Sequence, residues 1–253
     1  MLQLVIATSL SFLAFGAWAQ QTQRAELTAE QIIEKSIEAS GGRKNLEKLT
    51  STVAKGSMEI GEQHAHSTLE VYTKAPNKRL IVTDIEGFGE VRQGYDGQVA
   101  WTQDPSRGVR VLEGAELADV QREATFNAEL KWRELYPKVE LTGKEKVGER
   151  EAYVIRLAPS SGKPVTRYYD AENFLVLRQI STRETPQGPV EIQVDLSDYR
   201  DIGGGVKGPF KIKQTMPVVG EILITVTEAK TNVEIDDARF SPRRKDNAKD
   251  AKE

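Results

Sequence analysis

The chain contains no cysteine. That single absence excludes disulfides, thiolate metal sites, a cysteine nucleophile and a lipidated N-terminal cysteine. Histidine is scarce too, and the two present, His64 and His66, share the stretch "EQHAHS". If that stretch were extended, both imidazoles would face one side, with Glu62 or Glu70 near enough to help hold a metal. Its flanking Gly61 and polar residues read instead as a solvated turn, so neither a metal nor another cofactor is expected. With both histidines in one turn and no Gly-x-Ser-x-Gly pattern, a hydrolase triad lacks its base and its nucleophile elbow. No charge sign predominates: 35 basic and 38 acidic residues give a net charge of −3. That is a mixed, solvated surface rather than the basic footprint of a nucleic-acid binder.

Long apolar runs are missing except at the start, where Leu4 to Phe15 is followed by Ala17-Trp18-Ala19. The run is short for a bilayer-spanning helix, and small-x-small is the pattern of a signal-peptidase site, so residues 1–19 are expected to be an export signal removed after Ala19. The leader carries no Lys or Arg. Residues 20–242 suit a single β domain, and residues 243–253, which have almost nothing apolar to bury, are expected to be a disordered charged tail. The product should be a periplasmic, soluble monomer without stable membrane insertion.

What is present is mostly a period of two. One helix comes first: in "LTAEQIIEKSIEASGG", Thr28 and Gln31 form a capping box, Leu27 and Ile32 a hydrophobic staple, and Ile32, Ile33 and Ile37 an apolar stripe ended by Gly41-Gly42. Leu46 and Leu49 suggest a further turn or two. From Ser51 the pattern alternates. "STLEVYTK", "RLIVTD", "EAYVIRLAP", "FLVLRQISTRE", "PVEIQVDLSDYR", "PFKIKQTMP" and "EILITVTEAK" are strand-length runs divided by turn vocabulary, a long antiparallel meander. In "VEIQVDLS", Val190, Ile192, Val194 and Leu196 fall on one face and Glu191, Gln193, Asp195 and Ser197 on the other, so the sheet has a wet side and an inside. One interruption, with Leu117, Val120 and Ala124 at helical spacing, predicts a second amphipathic helix between Glu113 and Lys131.

Candidate chemistry is thin. Carboxylates are abundant but fall in surface-like stretches such as "GKEKVGERE", a poor setting for a glycosidase pair. "GGGVKG" (residues 203–208) runs into a strand rather than a helix amino terminus, so it is a loop and not a phosphate cradle. In "RQGYDGQVAWTQ", Gly97 can take the positive φ of a type I′ turn and Asp96 tolerates it. With no catalytic partner for Asp96 in sight, the pair turns the chain. Tyr95 and Trp101 flank that turn as packing or cavity-wall groups.

An amphipathic N-terminal helix followed by "GYDGQVAW", "VGEREAYVIRL", "TRYYDAENFLVLRQ", "DYRDIGGGVKGPFKI" and "NVEIDDARFSP" resembles the LolA/LolB-like outer-membrane lipoprotein-sorting family, from about Leu27 to Pro242. The resemblance implies a mainly β (α+β) fold: an unclosed, strongly curved antiparallel β-barrel covered by amphipathic helices, whose apolar cavity holds the acyl chains of a lipid or lipoprotein. The lack of cysteine departs from the lipidated receptor members and favours the carrier-like type. The residues themselves agree that a curved sheet with one apolar face under helices either packs solid or leaves a hydrophobic pocket. The expected in-facing, ligand-binding candidates are Leu69, Val71, Leu80, Val82, Val99, Trp101, Tyr153, Ile155, Leu175, Leu177, Ile192, Val194, Phe210, Ile212 and Leu223. None is a catalytic group. The function expected is a non-enzymatic periplasmic carrier or sensor of lipid, lipoprotein acyl chains or another apolar ligand. The alternatives are a cell-envelope protein-interaction module with a packed core and, behind it, a hydrolase.

Overall fold

A computed structural model describes residues 27–61, 65–185, 188–217 and 220–243. The elements in chain order are α1 (Ala29–Ala39), α2 (Arg43–Leu46), β1 (Ser51–Ile60), β2 (Ala65–Lys74), β3 (Lys78–Ile85), β4 (Gly89–Tyr95), β5 (Ala100–Asp104) and β6 (Gly108–Val111), then α3 (Gly114–Glu123) and α4 (Trp132–Leu135). They continue with β7 (Lys138–Val147), β8 (Arg150–Ala158), β9 (Val165–Asp170), β10 (Val176–Arg183), β11 (Val190–Gly203), β12 (Val206–Met216) and β13 (Gly220–Thr231), and end in a 3-10 turn over Asp237–Phe240. The segments read as strands are strands. "GGGVKG" forms the β11–β12 hairpin and its start.

The thirteen strands form one antiparallel sheet in the order β6-β5-β4-β3-β2-β1-β13-β12-β11-β10-β9-β8-β7, open at β6 and β7. One side chain reveals its curvature. Six strand-to-strand steps separate β3 from β10, which in a flat sheet would set them about 29 Å apart. Yet Arg79 of β3 and Arg183 of β10 both donate to the carboxylate of Glu123, at 2.6 Å and 2.5 Å. A single carboxylate at the end of α3 can meet both strands only if the sheet curls until its wings face each other.

Local chemistry explains the helices. Thr28 and Gln31 close the expected capping box: the Thr28 N–H donates to Gln31 Oε1 at 2.9 Å and the Gln31 N–H to Thr28 Oγ1 at 3.3 Å. Ile32, Ile33 and Ile37 are buried against Ile155, Leu157 and Tyr169 of the sheet. The second helix is shorter than the periodicity predicts. α3 stops at Glu123, because the Phe126 N–H donates to the Pro76 carbonyl at 3.1 Å and Asn127, at φ 51°, sends its side-chain amide to the Leu46 carbonyl at 2.6 Å. Leaving the helix there drops Phe126 into the core under α1.

The outer face of the β1–β5 region is also covered. Tyr72, Leu80 and Trp101 pack there against Ile235 and Phe240 of the C-terminal segment. The indole N–H of Trp101 donates to the Phe240 carbonyl at 2.8 Å, and Phe240 is fully buried. Gly94, opposite Trp101, leaves room for the indole, since a Cβ there would come within 2.3 Å of the ring. Asp237 lies between Lys74 and Lys78, 2.7 Å from each, and their hydrogen bonds lower its pKa to about 2. Arg243, expected in the tail, is still tied in: its guanidinium donates to Glu90 at 3.0 Å and its N–H to Gln103 at 3.1 Å. Residues 244–253 lie outside the described residues.

The loop at Asp96 is a turn, but not type I′. Only Gly97 has a positive φ, 103°. Four residues, 96–99, join β4 to β5, and the Asp96 carboxylate accepts the N–H groups of Gln98 and Val99 at 2.8 and 2.7 Å. Here the carboxylate closes the turn by capping its backbone.

Two predictions follow from these anchors. Phe240→Ala should destabilise the fold by about 3–5 kcal/mol, read from urea unfolding; a loss below about 1 kcal/mol would show that the C-terminal segment is dispensable. Burial raises the Glu123 pKa, but Arg79 and Arg183 outweigh it and hold the carboxyl below the ordinary value. Its stabilisation is therefore complete above the unfolded glutamate value of about 4.3 and is lost as pH falls through the lower folded value. Glu123→Gln should lower the Tm by a few degrees at pH 7, with the gap to wild type closing in melts below about pH 4.

Candidate functional site

The helices pack on the two wings of the curled sheet, α1 on β7 and α3 on β5, and leave the middle strands to floor a trough. Strand register defines that floor. Leu196, Ile212, Ile224, Met58, Ser67 and Ile85 stand directly opposite one another across β11, β12, β13, β1, β2 and β3. Residues two apart on a strand share a face, so Val194 and Ile222 join the same side, as do Leu69, Val71 and Ile81.

Two cavities open between this concave face and the helices. The larger, about 440 Å³, is bounded by Ile33 and Ile37 of α1, Leu46, Phe126, Trp132 and, on the sheet side, Leu196 and Tyr199. The smaller, about 350 Å³, has a different character: Ile192 and Val194 line it beside Arg79, Arg122, Arg183 and Lys163. Glu123, Ala128, Arg167 and Gln179 line both. The space under the helices is therefore not apolar throughout, and a belt of hydrogen-bonded charge crosses it. Within that belt Glu123 holds Arg79 and Arg183, Asp119 pairs with Arg122, and Arg167 Nε–H donates to Gln179 Oε1 at 2.8 Å. Burial raises the phenol pKa of Tyr169, against the pull of Arg167, and that of Tyr199, whose hydroxyl donates to the Val176 carbonyl at 2.8 Å. Both phenols stay protonated at neutral pH.

Of the candidate residues, Leu69, Val71, Tyr153, Ile155, Ile192, Val194 and Ile212 share the concave, helix-covered face. Ile192 and Val194 line the smaller cavity, whereas Ile155 is packed solid beneath α1. Leu80, Val82 and Trp101 are on the opposite face, under the C-terminal segment. Leu177 is also on the outer face, in a cluster with Ala152, Val154 and Tyr168. Leu223 faces outward opposite Lys213 and is 40% exposed, and Val99 is 42% exposed in the loop before β5. Phe210 is buried with the Arg200 guanidinium over its ring, and Leu175 is buried just before β10.

Sequence reasoning missed Met58, Ile81, Ile222 and Ile224 on the floor and the whole Arg167 belt. "EILITVT" and "RLIVTD" carry apolar residues on both parities, so alternation alone could not choose the inner face. His66 is exposed on β2, and His64 lies outside the described residues.

No family model matches the sequence, and no curated protein does. Solved structures do match in shape. A DUF1329 family protein from Desulfovibrio piger superposes with a TM-score of 0.57 at 16% identity, covering 84% of this chain and 97% of its own. A LolA superfamily protein from Nitrosomonas europaea gives 0.57 at 16% identity, covering 85% and 98%. A putative outer membrane lipoprotein-sorting protein domain from Vibrio parahaemolyticus gives 0.55 at 11% identity, covering 84% and 97%. Likeness at such identities speaks for the fold alone, and it agrees with the open, curled sheet roofed by helices. The chain has a LolA-like fold.

Proposed function

We propose that this protein is a non-enzymatic periplasmic carrier or sensor that takes the acyl chain of a lipid or lipoprotein into the space between its helices and the concave face. The observation that carries the reading is the larger cavity, floored by Leu196 and roofed by Ile33, Ile37 and Phe126. Each methylene moved from water into such a site is worth about 0.8 kcal/mol, so one acyl chain gains affinity without catalysis or polar contact. The LolA-like fold and the lipoprotein-sorting description of the Vibrio domain support this assignment. Export through residues 1–19, with removal after Ala19, belongs to the same proposal. Among the described residues, no helix is long and apolar enough to cross a membrane, and no cluster of His, Asp and Glu is placed to hold a metal ion.

A second reading, an envelope protein-interaction module, draws on the open edge at β6, where Val109 and Val111 are 45% and 53% exposed. An edge strand with exposed apolar side chains can pair with a partner's strand.

One comparison separates the two. Leu196→Trp should fill the larger cavity and weaken displacement of a neutral fluorescent apolar probe by hexadecanol at least tenfold, while Leu223→Trp, on the outer face, leaves it unchanged. Wild-type protein that takes up neither probe nor alcohol, and yields no lipid in native mass spectrometry, would leave only the interaction reading.

A further inference from the structure

The smaller cavity has an excess of positive charge that the carrier reading does not use. Five cationic side chains line it, Arg79, Arg122, Lys163, Arg167 and Arg183, against two carboxylates, Asp119 and Glu123. Most are accounted for: Glu123 serves Arg79 and Arg183, Asp119 serves Arg122, and Lys163 reaches toward Glu184 at 3.8 Å. Arg167 is different. Among the described residues no carboxylate forms an ion pair with it: its partners are the neutral Gln179, which accepts its Nε–H, and the Tyr169 hydroxyl, with the Tyr136 ring centre 5.8 Å from the guanidinium and Glu129 acting on it only at longer range. A guanidinium stays charged at any ordinary pH and presents a planar fork of donors that suits carboxylate or phosphate. Half-buried without a counter-charge in direct contact, it is costly to keep. Its position is equally specific, since Arg167 borders both cavities, at the seam between the strongly cationic space and the larger, more apolar one.

We propose that Arg167 is the head-group site of the carrier: the ligand is a single-chain amphiphile whose carboxylate or phosphate pairs with Arg167 while its hydrocarbon lies in the larger cavity. This deepens the carrier reading and rests on it. Gln179, through the Nε–H, and the Tyr169 hydroxyl orient the guanidinium, and the anion takes its remaining N–H donors. The surplus of Arg and Lys in the smaller cavity favours one negative head group over a neutral one and disfavours a cationic one.

The test uses the full chain, stripped of lipid, with N-phenyl-1-naphthylamine as the neutral fluorescent probe and hexadecanoic acid, hexadecyl phosphate and hexadecanol as competitors. In wild type the two anionic amphiphiles should bind about ten- to a hundredfold more tightly than the alcohol, the range expected of a charge-assisted hydrogen bond. Arg167→Gln should erase that preference without changing the alcohol's affinity, and Arg167→Lys should keep part of it. Equal affinities for acid and alcohol in wild type would overturn the head-group proposal while leaving the carrier reading intact; failure of all three to displace the probe would overturn both. Inorganic phosphate titrated alone distinguishes the sources: displacement of the acid by millimolar phosphate would assign the site to a free anion and end the amphiphile assignment. If Arg167→Gln does not fold, the wild-type salt dependence decides. The acid's affinity should fall with ionic strength and the alcohol's should not; identical salt responses would refute the proposal.

Discussion

The architecture depends on a carboxylate at the end of a helix. Glu123 takes one arginine from each wing of the sheet, and no flat arrangement of these strands could bring Arg79 and Arg183 to the same group. Sheets twist and coil spontaneously because of backbone chirality, but how far a given sheet curls is set by what its concave face meets. Here α1 fills one wing and α3 the other, and the ion pairs of Glu123 fix their spacing. The pairs themselves are partly exposed, the carboxylate side chain being 33% accessible, so their individual contributions to stability are modest. Their larger consequence is geometric, because holding the wings apart by the width of a helix end leaves the middle strands uncovered.

That uncovered middle becomes a cavity instead of a core because few side chains are available to fill it. The roof residues are committed elsewhere: Ile32 and Ile37 to Ile155 and Leu157, Phe126 to the space opened where α3 ends. The floor residues that stand opposite one another, Leu196, Ile212, Ile224 and Met58, are medium-sized and do not span the gap. The belt formed by Arg167, Gln179, Arg79 and Glu123 divides the space into a more apolar part and a strongly charged part. An acyl chain suits the first, and an anionic head suits the second.

The C-terminal segment explains why several apolar residues do not face the cavity. Leu80 and Val82 alternate along β3 with Ile81 and Thr83 and, with Trp101 of β5, turn to the outer face, where Ile235 and Phe240 cover them. Strands whose two faces are both buried lose the clean alternation that marks an inside. This is the physical reason for choosing the wrong parity in "RLIVTD", whereas "EILITVT" has a wet outer face, with Leu223 40% exposed, and carries apolar residues on both parities. In "VEIQVDLS", where the outer face is wet, Ile192 and Val194 were legible as inward residues and line the smaller cavity. The capping box at Thr28 was legible too, because its hydrogen bonds join residues three apart. The early end of α3 was not, since it depends on contacts with Pro76 and Leu46, far away in the chain.

By itself, the sequence determined the order of helix and strands, the turns between them and the absence of thiol chemistry, and it carried the resemblance to a lipoprotein-sorting fold. The order, the turns and the missing thiols follow from the period of the apolar residues, from local hydrogen bonding or from composition, and none of them needs to know what lies across the molecule. Tertiary structure alone decided which apolar stripe faces inward, where Glu123 finds its two arginines and that Arg167 stands between two cavities. Those outcomes depend on how strongly the sheet curls and on which segment covers each face, and residues more than a hundred positions apart set both.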